Sequence, residues 1–281
     1  MAVQPLEALV AAGFEIALVV TRADKRRGRG SELSSSPAKA AAQRLGLPVS
    51  HQVADALDVG ADLGVVVAFG QLIKPLVLER LAMVNLHFSL LPRWRGAAPV
   101  ERAILAGDTV TGVCLMRLDV GLDTGDVLDC VEVPIGAHQT ADELRRALVD
   151  VASAQLVENL RRGLGAGVVQ KGEATYAAKL DPAEFEISWN RPAAEIDRLV
   201  RLGLAWTTFR GKRLKVLAAS VAAQTGAAGT FLDALTVACW QDALVLERVQ
   251  PEGKPAMTAA AWANGAHPHV GEPIGAPVRS S

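Results

Sequence analysis

Leu63-Gly-Val-Val-Val-Ala68 is a continuous apolar run that is soon followed by a turn-forming glycine. Such a run is typical of a strand that helices cover on both faces of a parallel sheet. Met83 to Phe88 and Val113 to Leu118 predict two further strands, and Val100 to Ala106 predict a helix between them. This alternation of strands and helices predicts an α/β domain with a doubly wound, mostly parallel sheet.

The segments before this run continue the alternation. Residues 5–12 predict a helix that ends at Gly13, and Phe14 to Thr21 predict a buried strand. Ser36-Pro37 begins a second helix, which Gly46 ends. The first predicted element is therefore a helix, whereas a doubly wound domain normally opens with a strand.

An opening strand would be central in the sheet. Its loss would remove much of the packing that stabilises the domain. We therefore expect that Met1 is an internal start and that a first strand precedes it in the natural protein.

A long helix follows the predicted sheet. Thr140-Ala-Asp-Glu143 is a capping box, in which the two outer side chains satisfy free N–H groups at a helix start. An i+4 row of apolar residues then extends until Gly163, and it consists of Leu144, Leu148, Ala152, Leu156 and Leu160. A further helix is predicted at Pro192–Leu202, and short strands with turn signals follow it.

These patterns divide the chain into three parts. We predict an α/β domain over residues 1–181, a linker with a helix over residues 182–206, and a small β-barrel or sandwich over residues 207–281. A length of 281 residues is sufficient for two domains that each bury a core.

The composition excludes several classes of protein. No apolar stretch approaches the roughly 18 residues that a membrane-spanning helix needs. Cys114, Cys130 and Cys239 are far apart and form no C-x-x-C pair, which argues against a disulfide framework or a zinc ribbon. We expect a soluble cytoplasmic protein that does not associate with membranes.

The net charge of −1 conceals two basic segments. Residues 22–30 carry five Lys or Arg against one Asp, and residues 191–215 carry seven against two acidic residues. Such cations suit contacts with phosphates, although a solvated surface loop is the alternative for the first segment. The overall neutrality therefore does not exclude a nucleic-acid partner.

Asn85 and His87 are polar residues in a strand that is otherwise apolar, and their spacing places them on one face. A structural histidine with a hydrogen-bond partner is the alternative to a catalytic one. The loop Ser89–Pro99 follows directly, and ligands of open α/β sheets bind beyond the carboxyl ends of strands. These residues are therefore candidates for a reactive site.

Asp119-Val-Gly-Leu-Asp-Thr-Gly-Asp126 places three carboxylates after the next predicted strand. One of them could orient a histidine and favour its charged form. A calcium loop is the alternative, but the 12-residue spacing and the terminal Glu of such loops are missing. The chain also lacks the sequence signatures of phosphate-binding loops, zinc proteases and serine hydrolases.

Four motifs together resemble the 10-formyltetrahydrofolate-dependent formyltransferase family. They are Asn85-Leu-His87, Ser89-Leu-Leu-Pro92, Arg93-Trp-Arg-Gly-Ala-Ala-Pro99 and Val120-Gly-Leu-Asp-Thr-Gly-Asp126. The last two are most similar to members that act on methionyl-tRNA. The resemblance implies formyl transfer from 10-formyltetrahydrofolate to the α-amino group of methionyl-initiator tRNA, without a metal.

The resemblance also implies roles for residues of the first domain. Catalysis is expected of Asn85, His87 and Asp123, and contacts with the folate co-substrate are expected of Ser89, Leu90, Leu91 and Pro92. The formyl oxygen gains negative charge during the transfer, and Asn85 and His87 could stabilise that charge by hydrogen bonding.

Binding of tRNA is implied for two basic regions. The first is the loop Arg22–Gly30, with Arg26, Arg27 and Arg29. The second is the last domain, which resembles an OB-like β-barrel, with Arg210, Lys212, Arg213 and Lys215 as the expected phosphate contacts. We expect a monomer.

Two other functions remain open at this point. A formyltransferase that acts on an amino-sugar nucleotide would keep the three catalytic residues but would not need the basic segments. A non-catalytic RNA-binding relative would have lost one of the three, and all are present.

Overall fold

The computed structural model describes residues 1–26 and 33–275, and it divides into two compact units. The N-terminal unit consists of Met1–Val100, Val110–Pro134 and Arg145–Ala178. The C-terminal unit consists of Glu101–Thr109, Ile135–Leu144 and the chain from Lys179 onward. The sequence-based bounds at 181/182 and 206/207 stay a prediction.

The chain up to Ala178 forms five helices and ten strands within its described residues. In order they are α1 (Val3–Ala11), β1 (Val19–Val20), β2 (Lys25–Arg26), β3 (Leu33–Ser34), α2 (Pro37–Arg44), β4 (Val49–Ser50), β5 (Gly64–Val67), α3 (Pro75–Arg80), β6 (Met83–His87), β7 (Arg95–Gly96), α4 (Pro99–Ala106), β8 (Val110–Arg117), β9 (Val127–Pro134), α5 (Ala141–Arg162) and β10 (Tyr176–Ala177).

The main sheet of the N-terminal unit has the order β5-β6-β8-β9. The α/β class is confirmed, but the sheet is mixed rather than mostly parallel. β5 and β6 are parallel, whereas β8 is antiparallel to both β6 and β9. The sequence analysis missed β9, because Asp129 and Glu132 interrupt its apolar pattern and most of the strand is exposed or half-buried. A short loop between β8 and β9 requires an antiparallel pairing.

The long helix α5 is confirmed with its start signal. The capping box consists of two hydrogen bonds. The backbone N–H of Thr140 donates to the Glu143 carboxylate, and the backbone N–H of Glu143 donates to the Thr140 hydroxyl. The first four members of the predicted apolar row are fully buried, and they are Leu144, Leu148, Ala152 and Leu156. Helix α5 thus covers apolar residues along its whole length.

An apolar channel separates the main sheet from a small sheet that β1 and β4 form. The channel has a volume of about 640 Å³, and residues of both β1 and β5 line it. All four residues of β5 are only half-buried, although their composition predicts a fully buried strand.

The predicted strand Phe14–Thr21 is paired only at Val19 and Val20. Parallel pairing with β4 ends there, and the preceding residues instead line the channel. A strand needs a neighbour to form its ladder, and most of this segment has none among the described residues.

Cys114 and Cys130 form one disulfide, although their spacing in the sequence argued against a disulfide framework. They lie directly opposite each other in β8 and β9, with Cα atoms 4.2 Å apart. The sequence analysis could not foresee the pair because it did not predict β9. Cys239 is a buried free thiol, and burial raises its pKa to about 12.

The C-terminal unit contains an antiparallel sheet with the order β11-β12-β14-β13, and β15 pairs with β14. Its elements are α6 (Ala193–Val200), β11 (Trp206–Phe209), β12 (Lys212–Ala222), β13 (Thr236–Ala238), β14 (Ala243–Pro251), β15 (Met257–Thr258) and α7 (Ala259–Ala266). The predicted C-terminal β domain is confirmed, although the hydrogen-bonded path of these strands does not close into a ring. The rings of Phe209, Phe231 and Trp262 pack together in its core.

No helix within residues 1–26 and 33–275 is long and apolar enough to cross a membrane.

Candidate active site

β6 carries Asn85 and His87 on one face at the end of the strand. His87 is 5% exposed and lies between two oxygen atoms. Its Nε2 donates to the backbone oxygen of Trp94 at 2.9 Å, and its Nδ1 is 3.6 Å from Oδ2 of Asp123. Asn85 is half-buried, and its side chain bonds to none of the residues that the structure describes. The structure therefore brings the three expected catalytic residues to one edge of the sheet.

Asp123 follows β8 and has a left-handed backbone, with φ +50°. Its Oδ2 accepts a hydrogen bond from the backbone N–H of Gly96 at 2.7 Å. Gly96 has φ +115°, and a side chain there would approach the Ala177 backbone oxygen to 3.0 Å. Because position 96 is a glycine, its backbone can lie close to Ala177 with a positive φ, and from there its N–H donates to the Asp123 carboxylate.

The calcium-loop alternative receives no support from the arrangement of the loop. Asp119 bonds to the next backbone N–H, and Asp123 bonds to Gly96. Among the described residues, no group of three or more His, Cys, Asp or Glu side chains is arranged to hold a metal.

The loop Ser89–Pro92 lies directly after the strand that carries His87. Ser89 is fully buried, and its hydroxyl donates to the backbone oxygen of Arg93 at 2.6 Å. This bond shapes the turn, and a contact between Ser89 and the folate stays a prediction. Leu90, Leu91 and Pro92 are half-buried, and the Leu91–Pro92 peptide is cis. Ligand contacts at these three positions stay a prediction.

Gln170 is a site residue that the sequence analysis missed. Its side chain bonds to the backbone of Asp123 and Gly125 and to the guanidinium of Arg95. The sequence did not point to Gln170, because bonds between an amide and backbone carbonyls leave no motif. In the sequence Gln170 is only a polar residue that follows two valines, Val168 and Val169, which the structure shows to be exposed.

The structure describes the basic loop only up to Arg26. Arg26 belongs to β2, which pairs with β3 through the register Arg26 to Leu33. Arg27 and Arg29 lie outside the described residues. Within the loop, Asp24 forms an ion pair with Lys39 of α2 at 2.7 Å.

The cations of the C-terminal unit differ in how they are used. Arg210 forms a bidentate ion pair with Glu272, at 2.6 and 2.9 Å, and it also donates to the backbone oxygen of Ala266. Its guanidinium is therefore paired inside the unit, and the expected phosphate contact of Arg210 stays a prediction. The hydrogen bond from Arg210 holds the pKa of Glu272 below its ordinary value.

The other three predicted cations all lie in β12. Lys212 and Arg213 are exposed, and Lys215 is half-buried. The Arg213 guanidinium stacks over the Trp206 ring at 4.1 Å. Trp206 is opposite Lys215 in the register of β11 and β12, so an aromatic ring lies among these cations. This combination suits contact with a nucleic-acid backbone.

Models of two protein families match the chain. The formyl transferase model matches residues 5–160, and the model of the formyl transferase C-terminal domain matches residues 179–267. Together they span both compact units.

Two relatives match almost the full length. The chain is similar to the methionyl-tRNA formyltransferase of Neisseria meningitidis serogroup A, with 43% identity over 290 residues that cover 95% of this chain and 94% of that protein. It is also similar to the methionyl-tRNA formyltransferase of Jannaschia sp. (strain CCS1), with 45% identity over 278 residues that cover 93% of this chain and 92% of that protein.

A solved structure shares the fold. It is an N-formyltransferase from Helicobacter canadensis in complex with folinic acid and dTDP-3-aminofucose. The TM-score is 0.67 at 18% identity, and the match covers 87% of this chain and 95% of that chain.

Proposed function

The chain belongs to the formyl transferase family, and from this premise we propose which of its residues perform the reaction and which substrates they bind. The reaction is the transfer of a formyl group to the α-amino group of methionyl-initiator tRNA. The observation that carries the assignment of residues is the position of His87, between the Trp94 carbonyl and the Asp123 carboxylate and on the same face as Asn85.

The formyl donor in this proposal is 10-formyltetrahydrofolate. Leu90, Leu91 and Pro92 offer half-buried apolar surface directly after the strand of Asn85 and His87, which fits the flat rings of a folate. The relative from H. canadensis was solved with folinic acid, a folate that carries a formyl group. No residue of the proposed site requires a metal.

Asn85 stabilises the charge that develops on the formyl oxygen. The amine nitrogen of methionyl-tRNA attacks the formyl carbon, and the new carbon–nitrogen bond forms as negative charge moves onto oxygen. The Asn85 amide is free of other partners among the described residues, so its N–H can donate to that oxygen at no cost in internal bonds. The bond from the formyl carbon to N10 then breaks, and the proton of the amine passes to N10.

His87 stabilises the same developing charge together with Asn85. Its Nε2–H exchanges the Trp94 carbonyl for the formyl oxygen, while Asp123 keeps the ring oriented through Nδ1. Asp123 also provides an acceptor near the amine proton, either directly or through a water molecule. His87 is buried and Asp123 is half-buried, so water screens their interaction less than it would on the open surface.

Two regions bind the tRNA in this proposal. The last domain, residues 207–281, contributes Lys212, Arg213 and Lys215, and the basic loop contributes Arg26, Arg27 and Arg29. The stacking of Arg213 on Trp206 supports the first assignment, because it presents a cation and a ring together. We place the catalytic domain at residues 1–181 and the activity of a monomer in the cytoplasm, where charged initiator tRNA is used.

The proposal is tested by formyl transfer from 10-formyltetrahydrofolate to charged initiator tRNA. We expect activity for the wild type and a loss of at least about 100-fold in kcat for His87→Ala. Equal kcat for both proteins would overturn the catalytic assignment. A wild type that formylates a dTDP-amino sugar and not methionyl-tRNA would establish the amino-sugar alternative.

A further inference from the structure

We propose that Gln170 is a positioning residue of the formyl transfer, because its side-chain amide fixes the loop of Asp123 against the loop that contacts His87. This inference rests on the proposed function, since Gln170 acts through Asp123 and touches no reacting atom. No motif pointed to Gln170, so geometry alone carries the assignment.

The Gln170 amide uses both of its donors and its acceptor. Nε2 donates to the backbone oxygens of Asp123 and Gly125, each at 2.8 Å. Oε1 accepts from Nε and Nη2 of Arg95, at 3.1 and 2.7 Å. A rotated amide would place its oxygen against two carbonyls and its NH₂ against a guanidinium, so a single orientation satisfies every partner.

Arg95 connects this amide to the other half of the site. The residue before it, Trp94, accepts the hydrogen bond from His87 Nε2. The residue after it, Gly96, donates its backbone N–H to the Asp123 carboxylate. The backbone on each side of Arg95 therefore contacts one member of the catalytic pair, while its side chain bonds to the amide.

The Asp123 loop needs this support because its backbone is strained. Asp123 has φ +50°, and a residue other than glycine pays about 1 kcal/mol or more in that region. Hydrogen bonds to its carbonyl and to that of Gly125 hold the conformation. Without them, the loop can relax and move its carboxylate away from His87.

The segment that carries Gln170 is anchored on both sides. Val168 exchanges two backbone hydrogen bonds with Val127, at 2.8 and 2.9 Å. Further along, β10 pairs with β7, which contains Arg95. The amide is therefore presented from a fixed backbone, as a positioning group must be.

Gln170→Leu and Gln170→Glu test the role by kinetics with methionyl-tRNA and 10-formyltetrahydrofolate. For Gln170→Leu we expect a fall in kcat of about 100-fold, because small displacements of a catalytic group have effects of that size, with both KM values within about twofold of the wild type. Gln170→Glu has nearly the same shape but turns an oxygen toward each carbonyl, so its kcat should fall at least as far. A residue that only fills space would tolerate Glu, and wild-type kcat for Gln170→Glu would overturn the proposal.

A double-mutant cycle with Asp123→Ala separates a role through Asp123 from a general structural role. In the Asp123→Ala background we expect Gln170→Leu to change kcat by less than about twofold, because its target carboxylate is already gone. Additive losses would overturn the proposal. If Asp123→Ala alone retains wild-type kcat, the proposed function fails first, and the two failures are thus distinguishable.

Gln155→Leu is the matched control. Gln155 is a buried glutamine of the same unit, and its Nε2 donates to the Asp129 carboxylate and to the Val113 backbone oxygen, away from the catalytic pair. We expect it to lower the unfolding temperature while kcat stays within about twofold. If Gln155→Leu lowers kcat as much as Gln170→Leu does, the effect at Gln170 is not specific and the proposal is wrong.

Discussion

β5 in the N-terminal unit and β13 in the C-terminal unit are both short strands, yet their surroundings are opposite. β5 reads Gly64-Val-Val-Val67, and each of its residues is half-buried beside the apolar channel. β13 reads Thr236-Val-Ala238, contains a polar residue and is buried throughout. Burial therefore depends on the neighbours that a strand finds and not on its own composition.

The same contrast extends to how each unit holds its functional groups. In the N-terminal unit a few hydrogen bonds position His87 and Asp123 at the end of the sheet. In the C-terminal unit a continuous apolar core supports the sheet whose cations contact Trp206 and solvent. We therefore expect polar substitutions in the first unit to affect activity, and apolar substitutions in the second to affect stability.

Asn85→Ala tests the first half of this contrast and has the largest expected effect. Because its amide makes no internal bond within the described residues, its loss should lower kcat by about 100- to 1000-fold while the unfolding temperature changes little. Steady-state kinetics and thermal unfolding measure both quantities. A fall in stability without a fall in kcat would reverse the contrast.

Val216→Ala and Val65→Ala compare the two units directly. Val216 is fully buried in β12, so truncation should cost about 2 kcal/mol in free energy of unfolding. Val65 lines the channel and is half-buried, and its truncation should cost less than about 1 kcal/mol. Urea unfolding of both variants measures the two losses in free energy of unfolding. Equal losses would show that the channel does not weaken the packing around β5.

The salt dependence of tRNA affinity distinguishes the cations of the C-terminal unit. Arg213→Ala should reduce the slope of log K against log salt by about one, because one phosphate contact is lost. Arg210→Ala is the control, since its guanidinium is already bound to Glu272. A reduced slope for Arg210→Ala would restore the phosphate role that its position in the sequence suggests.

The Arg210–Glu272 pair should make a small, pH-dependent contribution to stability. Arg210 lowers the pKa of Glu272 from its ordinary 4.5, so the stabilisation is present above that value and is lost as the pH falls through the lowered pKa. The unfolding temperature of Arg210→Ala should be below that of the wild type at neutral pH, and the difference should shrink as the pH falls through the lowered pKa of Glu272. A difference that grows on acidification would contradict this assignment.

Asn85 and His87 were candidates because polar side chains in an apolar strand need partners or a role. The residues alone left a structural histidine open, and the resemblance to the family implied the catalytic role, which stays a prediction. Gln170 could not be predicted in this way, because its partners are backbone carbonyls that any residue supplies.

The fold was less predictable where pairing decides the outcome. The Cys114–Cys130 disulfide depends on β9, a strand whose charged residues obscure its pattern. The ion pair of Arg210 with Glu272 could not be predicted, because a cluster of cations does not show which of them has an internal partner. Helix α5 was predictable because its cap and its apolar row are local.

The central claim is that Asp123 acts through His87 in formyl transfer, and the rate of a single turnover tests it most directly. With saturating 10-formyltetrahydrofolate and excess enzyme over methionyl-tRNA, we compare the wild type with Asp123→Asn, which keeps the side-chain shape. The account predicts a rate at least about 100-fold lower for Asp123→Asn, with unchanged tRNA affinity and unfolding temperature. A rate within about threefold of the wild type would contradict it.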